Sequence, residues 1–284
     1  MLAFNPETSM PGAHRSILLI KGGFSLAFEC FAPTPMILMA QIHPQREKDI
    51  VQPELLTFCP DLARFSYVDG FGNKCMRFTA PAGYLSVWSR FVIADSGLPE
   101  LLPYDAYQHT VEELPEATLP FLLGSRYCDT QLLVQQAWFL FGHYQQGWPR
   151  VSAVLDYVHG RLQFDYRSAR NDRTASQAFY EQRGVCRDFA HLAITFFRCL
   201  NIPARYCTGY LGDIGVPADP APMDFSAWIE IYMGGQWWTL DARHNRPRTG
   251  RILIARGQDA ADVALTTSFG QAILTEFHVV TEQY

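Results

Sequence analysis

The sequence predicts an α+β protein in two parts: a β-rich, sandwich-like region over residues 1–112, and a domain over residues 113–284 in which helices precede an antiparallel sheet. Three observations carry this prediction. Short apolar runs punctuated by Gly, Pro and Asn fill the first part. Apolar residues recur at helical spacing from Thr130 to Leu200. Two strand-like runs then flank Gly234-Gly235, a strong signal for a two-residue hairpin.

The elements follow in order. Ser16–Ile20 and Phe24–Phe31 read as strands broken by Lys21-Gly22-Gly23, and Met36–Ile42 as a third after Pro33 and Pro35. The run from Tyr67 to Lys74 is a turn, after which Cys75–Thr79 and Tyr84–Ala94 are strands separated by Pro81-Ala82-Gly83. A Pro-rich, acidic stretch from Gly97 to Pro120 reads as a linker. Thr130–Gln146 is a helix stopped by Gly147 and Pro149, and Val151–Val158 is a shorter one. Thr174 and Gln177 fit a capping box for a helix ending near Gly184. Phe189, Ala193, Phe196, Phe197 and Leu200 share one helical face, and Asn201 and Pro203 end that helix. Strands are expected at Ala204–Leu211, Ser226–Met233 and Gln236–Ala242, with Gly250–Ala255 and Ala272–Thr281 closing the same sheet.

Composition excludes several function classes. Of 284 residues, 48% are hydrophobic and 18% charged, which favours a filled core over disorder. The net charge of −5 gives no basic face for nucleic acid. No run reaches the ~18 apolar residues of a membrane span. The opening residues lack a basic stretch before an apolar one, so no secretory leader is expected. Seven cysteines, odd in number and irregular in spacing, predict a reduced, cytoplasmic protein. There is no CxxC or HxxxH pair, no DxDxDG loop, no P-loop and no GxGxxG, so no metal or cofactor is expected.

Cys186 stands apart from the other cysteines. It follows Gly184-Val185 and opens the helix that carries Phe189. Unpaired N–H groups and the positive helix end favour thiolate there and offer an oxyanion site. A plain core cysteine at a helix start fits the same position. Four ordered segments separate these readings: Gly184-Val-Cys-Arg-Asp-Phe-Ala190, Asn201-Ile-Pro-Ala-Arg-Tyr-Cys-Thr-Gly-Tyr210, Asp224-Phe-Ser-Ala-Trp-Ile-Glu230 and Trp237-Trp-Thr-Leu-Asp241. Together they resemble the bacterial transglutaminase-like superfamily. Tyr67-Val-Asp-Gly-Phe-Gly-Asn73 and Pro81-Ala-Gly-Tyr-Leu85 are similar to its β-rich N-terminal region.

The resemblance implies a papain-like core with a Cys–His–Asp site that cleaves or transfers acyl groups at peptide or protein amides through a thioester. Cys186 takes the nucleophile position and Asp241 the aspartate position. The histidine position is occupied by Ser226, a departure from the family pattern. Hairpin register sets Trp228 opposite Asp241, so Ser226 and Asp241 share a sheet face as diagonal neighbours. Serine is too short and too weakly basic to replace imidazole. His244, three residues beyond Asp241, is a substitute base only where the strand bulges or ends, because parity otherwise puts it on the opposite face. The plainer reading of His244 is a polar turn residue.

His191 lies ~140° round the helix from Cys186 and is a poor partner. His14, His43, His143, His159 and His278 have no supporting context. Arg187 and Asp188 read as an ion pair capping the helix, Glu230 as half of a buried salt bridge, and the three tryptophans of the hairpin as sheet packing or cleft wall. The Pro- and Gly-rich segment from Asp213 to Met223 reads as a connector or a cover for the cleft. Two functions stay open: a thiol amide hydrolase or acyltransferase, and a binding protein that holds a peptide or small ligand without turnover.

Overall fold

The structure is a computed structural model that describes residues 17–284; His14 and Ser16 lie outside the described residues. Six strands come first: β1 (Leu18–Cys30), β2 (Thr34–Leu38), β3 (Ile50–Cys59), β4 (Arg64–Val68), β5 (Lys74–Ala80) and β6 (Gly83–Asp95). Next come α1 (Thr130–Phe141), α2 (Trp148–Arg161), β7 (Gln163–Phe164), α3 (Ala175–Glu181), β8 (Arg183–Gly184) and α4 (Cys186–Cys199). The chain ends with β9 (Ala204–Tyr210), β10 (Ser226–Met233), β11 (Gln236–Leu240), β12 (Ile252–Gly257), β13 (Thr266–Ser268) and β14 (Ala272–Gln283).

Two four-stranded antiparallel sheets, in the orders β14-β1-β6-β3 and β13-β2-β5-β4, are built largely from the N-terminal half. They meet where the rings of Phe58 and Phe78 cross edge to face at 5.1 Å. A third antiparallel sheet, β11-β10-β9-β12, forms the core with the helices. The expectation that Ala272–Thr281 closes the core sheet needs correction. Strands β13 and β14 return to pair with β2 and β1 and do not close the core sheet, which already ends at β12. Backbone pairing decides this, because β14 covers an otherwise open edge of β1 over almost its full length.

Lys21-Gly22-Gly23 is no turn. Both glycines lie inside β1, where a Cβ on Gly22 would fall 2.3 Å from the Phe91 ring and one on Gly23 would fall 2.3 Å from the Ser89 carbonyl oxygen. The glycines allow a close approach to β6 instead of a reversal. Strands β3 and β4 escape the sequence reading because β3 is bulged twice against β6 and β4 is exposed along its whole length, so neither alternates cleanly.

The helices behave closer to expectation. Helix α1 stops at Gly142, and Pro149 sits at the start of α2, where its missing N–H has no acceptor to lose. Thr174 and Gln177 form the reciprocal capping box. Helix α4 is buried on all sides from Asp188 to Cys199, enclosed by α1, α2, α3 and the β9–β10 face. A helix so enclosed has few tilts available to it, and its first residue is Cys186. At its far end the buried Arg198 donates to the carbonyls of Leu123, Ala204 and Gln258. Among the described residues no helix is long and apolar enough to cross a membrane.

Candidate active site

The segment before α4 is shaped by one carboxylate. Asp188 Oδ2 accepts from the Val185 N–H at 2.8 Å and from Arg173 Nη1 at 2.9 Å, so it caps the helix and neutralises a buried arginine at once. Arg187 is only 3.9 Å from the other oxygen, so the capping role expected of Asp188 holds but its close ion-pair partner is Arg173. Gly184 is required here, because a Cβ would lie 2.5 Å from the Asp188 carboxylate. These contacts set Cys186 in the first turn of α4, half-buried, with the Ala227 N–H of β10 against its sulfur.

The thiol does not follow the expectation drawn from its helix position. Burial pushes the Cys186 thiol up, and Asp224 and Asp241 add to this; the Ala227 N–H and Arg243 pull it down without reversing the net rise. Desolvation is the largest of these influences, because the side chain packs against the core.

The hairpin register is as expected, with Met233 opposite Gln236 and Tyr232 opposite Trp237. Strand β11 is two residues shorter than expected, ending at Leu240. Asp241 follows as the first residue of a turn: its Oδ1 accepts from the N–H groups of Arg243 and His244 at 2.9 and 3.0 Å, and the Asn245 N–H returns to its carbonyl at 2.8 Å. The turn removes the parity obstacle. His244 Nδ1 donates to Asp241 Oδ2 at 2.8 Å, which leaves Nε2 as the ring nitrogen outside that bond. His159 accepts no such role; its Nδ1 lies 2.8 Å from the Arg243 carbonyl oxygen.

Asp241 has a second partner that sequence reasoning missed. Arg251 Nη2 donates to the same Oδ2 at 2.6 Å, and its guanidinium lies 5.0 Å from the Trp228 ring. Trp228 and Asp241 are therefore on one side of the sheet, and Ser226, two residues before Trp228, shares it. Burial alone would raise the Asp241 carboxyl; Arg251 and the bonds from His244 hold it well below the usual carboxylate range. Arg251 lies ten residues beyond Asp241 across a loop, with no motif to announce it.

Ser226 and His244 line one polar cleft of about 70 Å³ with Tyr166, Asp213, Asp219, Asp224, Arg243 and Arg248. The segment from Asp213 to Met223 forms a wall of that cleft. His191 is elsewhere: fully buried, stacked on Tyr127 at 5.1 Å, and accepting at Nε2 from the Ala260 N–H at 3.2 Å. Trp228 is buried against Cys207 and Leu253, Trp237 meets Phe121 and Tyr232, and Trp238 donates to the Met233 carbonyl, so all three pack the sheet. Glu230 forms its buried salt bridge with Arg205, whose Nε donates at 2.6 Å. Among the described residues no three His, Cys, Asp or Glu side chains converge as a metal site requires.

Comparison with known proteins bears on the family and the fold. Residues 142–242 match the family model of the transglutaminase-like superfamily. An uncharacterized protein of Mycobacterium leprae is 33% identical over 140 residues, covering 47% of this chain and 50% of that protein. One of Mycobacterium tuberculosis strain H37Rv is 31% identical over 123 residues, 39% of each chain. The chain thus spans half or less of the length of these curated relatives. Among solved structures, a candidate cysteine protease of Cytophaga hutchinsonii is similar with a TM-score of 0.80 at 29% identity, covering 94% of this chain and 91% of the other. Residues 142–242 are thus a transglutaminase-like domain, in a papain-like fold that most of the chain shares with that structure.

Proposed function

We propose that this protein is a thiol enzyme that cleaves or transfers acyl groups at peptide or protein amides, with Cys186 as nucleophile and His244, held by Asp241, as a relocated base. The observation that carries the proposal is the 2.8 Å bond from His244 Nδ1 to Asp241 Oδ2, made by a histidine that lines the same cleft as Ser226. In this reading His244 Nε2 takes the Cys186 proton, directly or through one water. The thiolate attacks the amide carbonyl carbon, the proton passes to the leaving nitrogen as the C–N bond breaks, and a thioester remains. Water or an amine then attacks the thioester and releases the thiol. The first-turn N–H groups of α4 are the natural donors to the oxyanion. All seven cysteines are unpaired, which supports a reducing, cytoplasmic setting.

The second reading, a binding protein without turnover, is favoured by one observation: burial raises the Cys186 thiol. Site-resolved alkylation by iodoacetamide against pH separates the two. The enzyme reading expects a Cys186 transition below the free-thiol value of about 8.5 that is lost in His244→Asn and Asp241→Asn. Slow alkylation with a raised transition, identical in all three proteins, would leave the binding reading.

A further inference from the structure

The carboxylate that holds His244 is not free to act on it alone. Asp241 Oδ2 accepts from His244 Nδ1 at 2.8 Å and from Arg251 Nη2 at 2.6 Å. Two nitrogens bound to one oxygen lie no farther apart than those two bonds laid end to end. Arg251 is itself fixed from the other side, its Nε donating to Glu100 Oε1 at 2.5 Å. Glu100 is pinned in turn: its N–H donates to the Arg248 carbonyl at 3.1 Å, and its carboxylate accepts from the Arg248 N–H. Near its start, the stretch that reads as a linker therefore supplies the first member of a charge chain, Glu100–Arg251–Asp241–His244, running into the cleft. The side chains of Asp241, Arg251 and Glu100 are 3%, 7% and 19% exposed, so screening by salt is weak along most of it.

We propose that Arg251, held by Glu100, is a positioning residue of the Asp241–His244 pair: it fixes the carboxylate oxygen that orients the imidazole and sets how readily His244 takes a proton. The inference rests on the reading of His244 as the base. An isolated carboxylate favours the charged imidazolium beside it, and a guanidinium on the same oxygen opposes that preference. Glu100 moderates that opposition by partly neutralising Arg251. Other charged or titratable groups line the cleft with His244: Tyr166 from the 3-10 turn at Tyr166–Ser168, Asp213, Asp219 and Asp224 from the cleft wall, and Arg243 and Arg248 beside it. They form a common background to the comparisons below.

The test reads His244 directly, by the pH titration of its ring NMR signals, assigned through His244→Asn and recorded in a Cys186→Ala background so that the thiol does not contribute. Arg251→Gln removes the cation and is expected to raise the midpoint by about one unit, a tenfold change in proton affinity. Glu100→Gln is expected to lower it, and the double variant to return towards the parent. Arg251→Lys keeps the charge without the fork and is expected to stay near the parent midpoint, which also covers the case in which Arg251→Gln fails to fold. A purely structural tie would not give shifts of opposite sign. Midpoints that stay together in Arg251→Gln and Glu100→Gln, or that move the same way, would overturn the proposal. Opposite shifts would uphold it even where alkylation of Cys186 ignores His244, an outcome that would sink the enzyme reading alone.

Discussion

Gly184→Ala tests whether the approach to Cys186 is as tightly built as the geometry indicates. The new methyl would fall 2.5 Å from both Cβ and Oδ2 of Asp188. Ordinary contact needs about 3.5 Å, so one side must move by about 1 Å. Asp188 has a side chain with no exposure and is the first residue strained. Its two bonds, 2.8 Å to the Val185 N–H and 2.9 Å to Arg173, would stretch beyond hydrogen-bonding range under such a shift. The loss is a helix cap together with one side of a buried ion pair, roughly 3–5 kcal/mol. At about 2 °C per kcal/mol for a chain of this size, Tm should fall by about 6–10 °C. Calorimetry of Gly184→Ala beside Arg173→Met measures it, and the double variant should be less than additive because both act on one carboxylate. A Tm within about 1 °C of the parent, or full additivity, would refute the reasoning.

Three further outcomes are expected. Asp241 is held below the usual carboxylate range, so the unfolded chain binds its proton first: the stabilisation is complete above about pH 4 and is lost as pH falls further, and Asp241→Asn should flatten that part of an acid-denaturation curve. Burial lowers His191, whose Nε2 must stay unprotonated to accept from Ala260; the unfolded state therefore binds the extra proton, stability declines as pH falls below about 6.5, and His191→Phe should remove that slope in urea titrations at a series of pH values. Ser226→His restores an imidazole at position 226 and should raise the alkylation rate of Cys186 at pH 7; an unchanged rate would show that position 226 no longer addresses the thiol.

The legible parts of this molecule are those specified by neighbours in sequence. Thr174 and Gln177 cap α3 as their spacing indicates, and Gly234-Gly235, with φ of 57° and 84°, make the left-handed turn that sets the hairpin register. The parts that escaped reading depend on distant residues. Gly22 and Gly23 look like a turn until Phe91 and Ser89 are known to lie across them, and the destination of β14 depends on which sheet has an open edge. Arg173 lies fifteen residues before the carboxylate it neutralises, and Glu100 lies in a stretch whose prolines hide its contact with Arg251.

The candidate site divides along the same line, and the division explains why position 244 is usable. Alternation along a regular strand puts position 244 on the wrong face of the sheet, and that argument holds only while the strand lasts. Asp241 itself ends it. Once its Oδ1 accepts from the N–H groups two and three residues ahead, those N–H groups point back at the carboxylate and cannot pair with β10. The chain turns within that span, and the turn carries the His244 ring to the other oxygen of the same carboxylate. The residue that would hold a histidine at position 226 thus builds the turn that delivers one from position 244. Loss of imidazole at position 226 therefore leaves the cleft with Asp241 already paired to a histidine, and the remaining difference is whether Nε2 of that ring reaches the Cys186 sulfur.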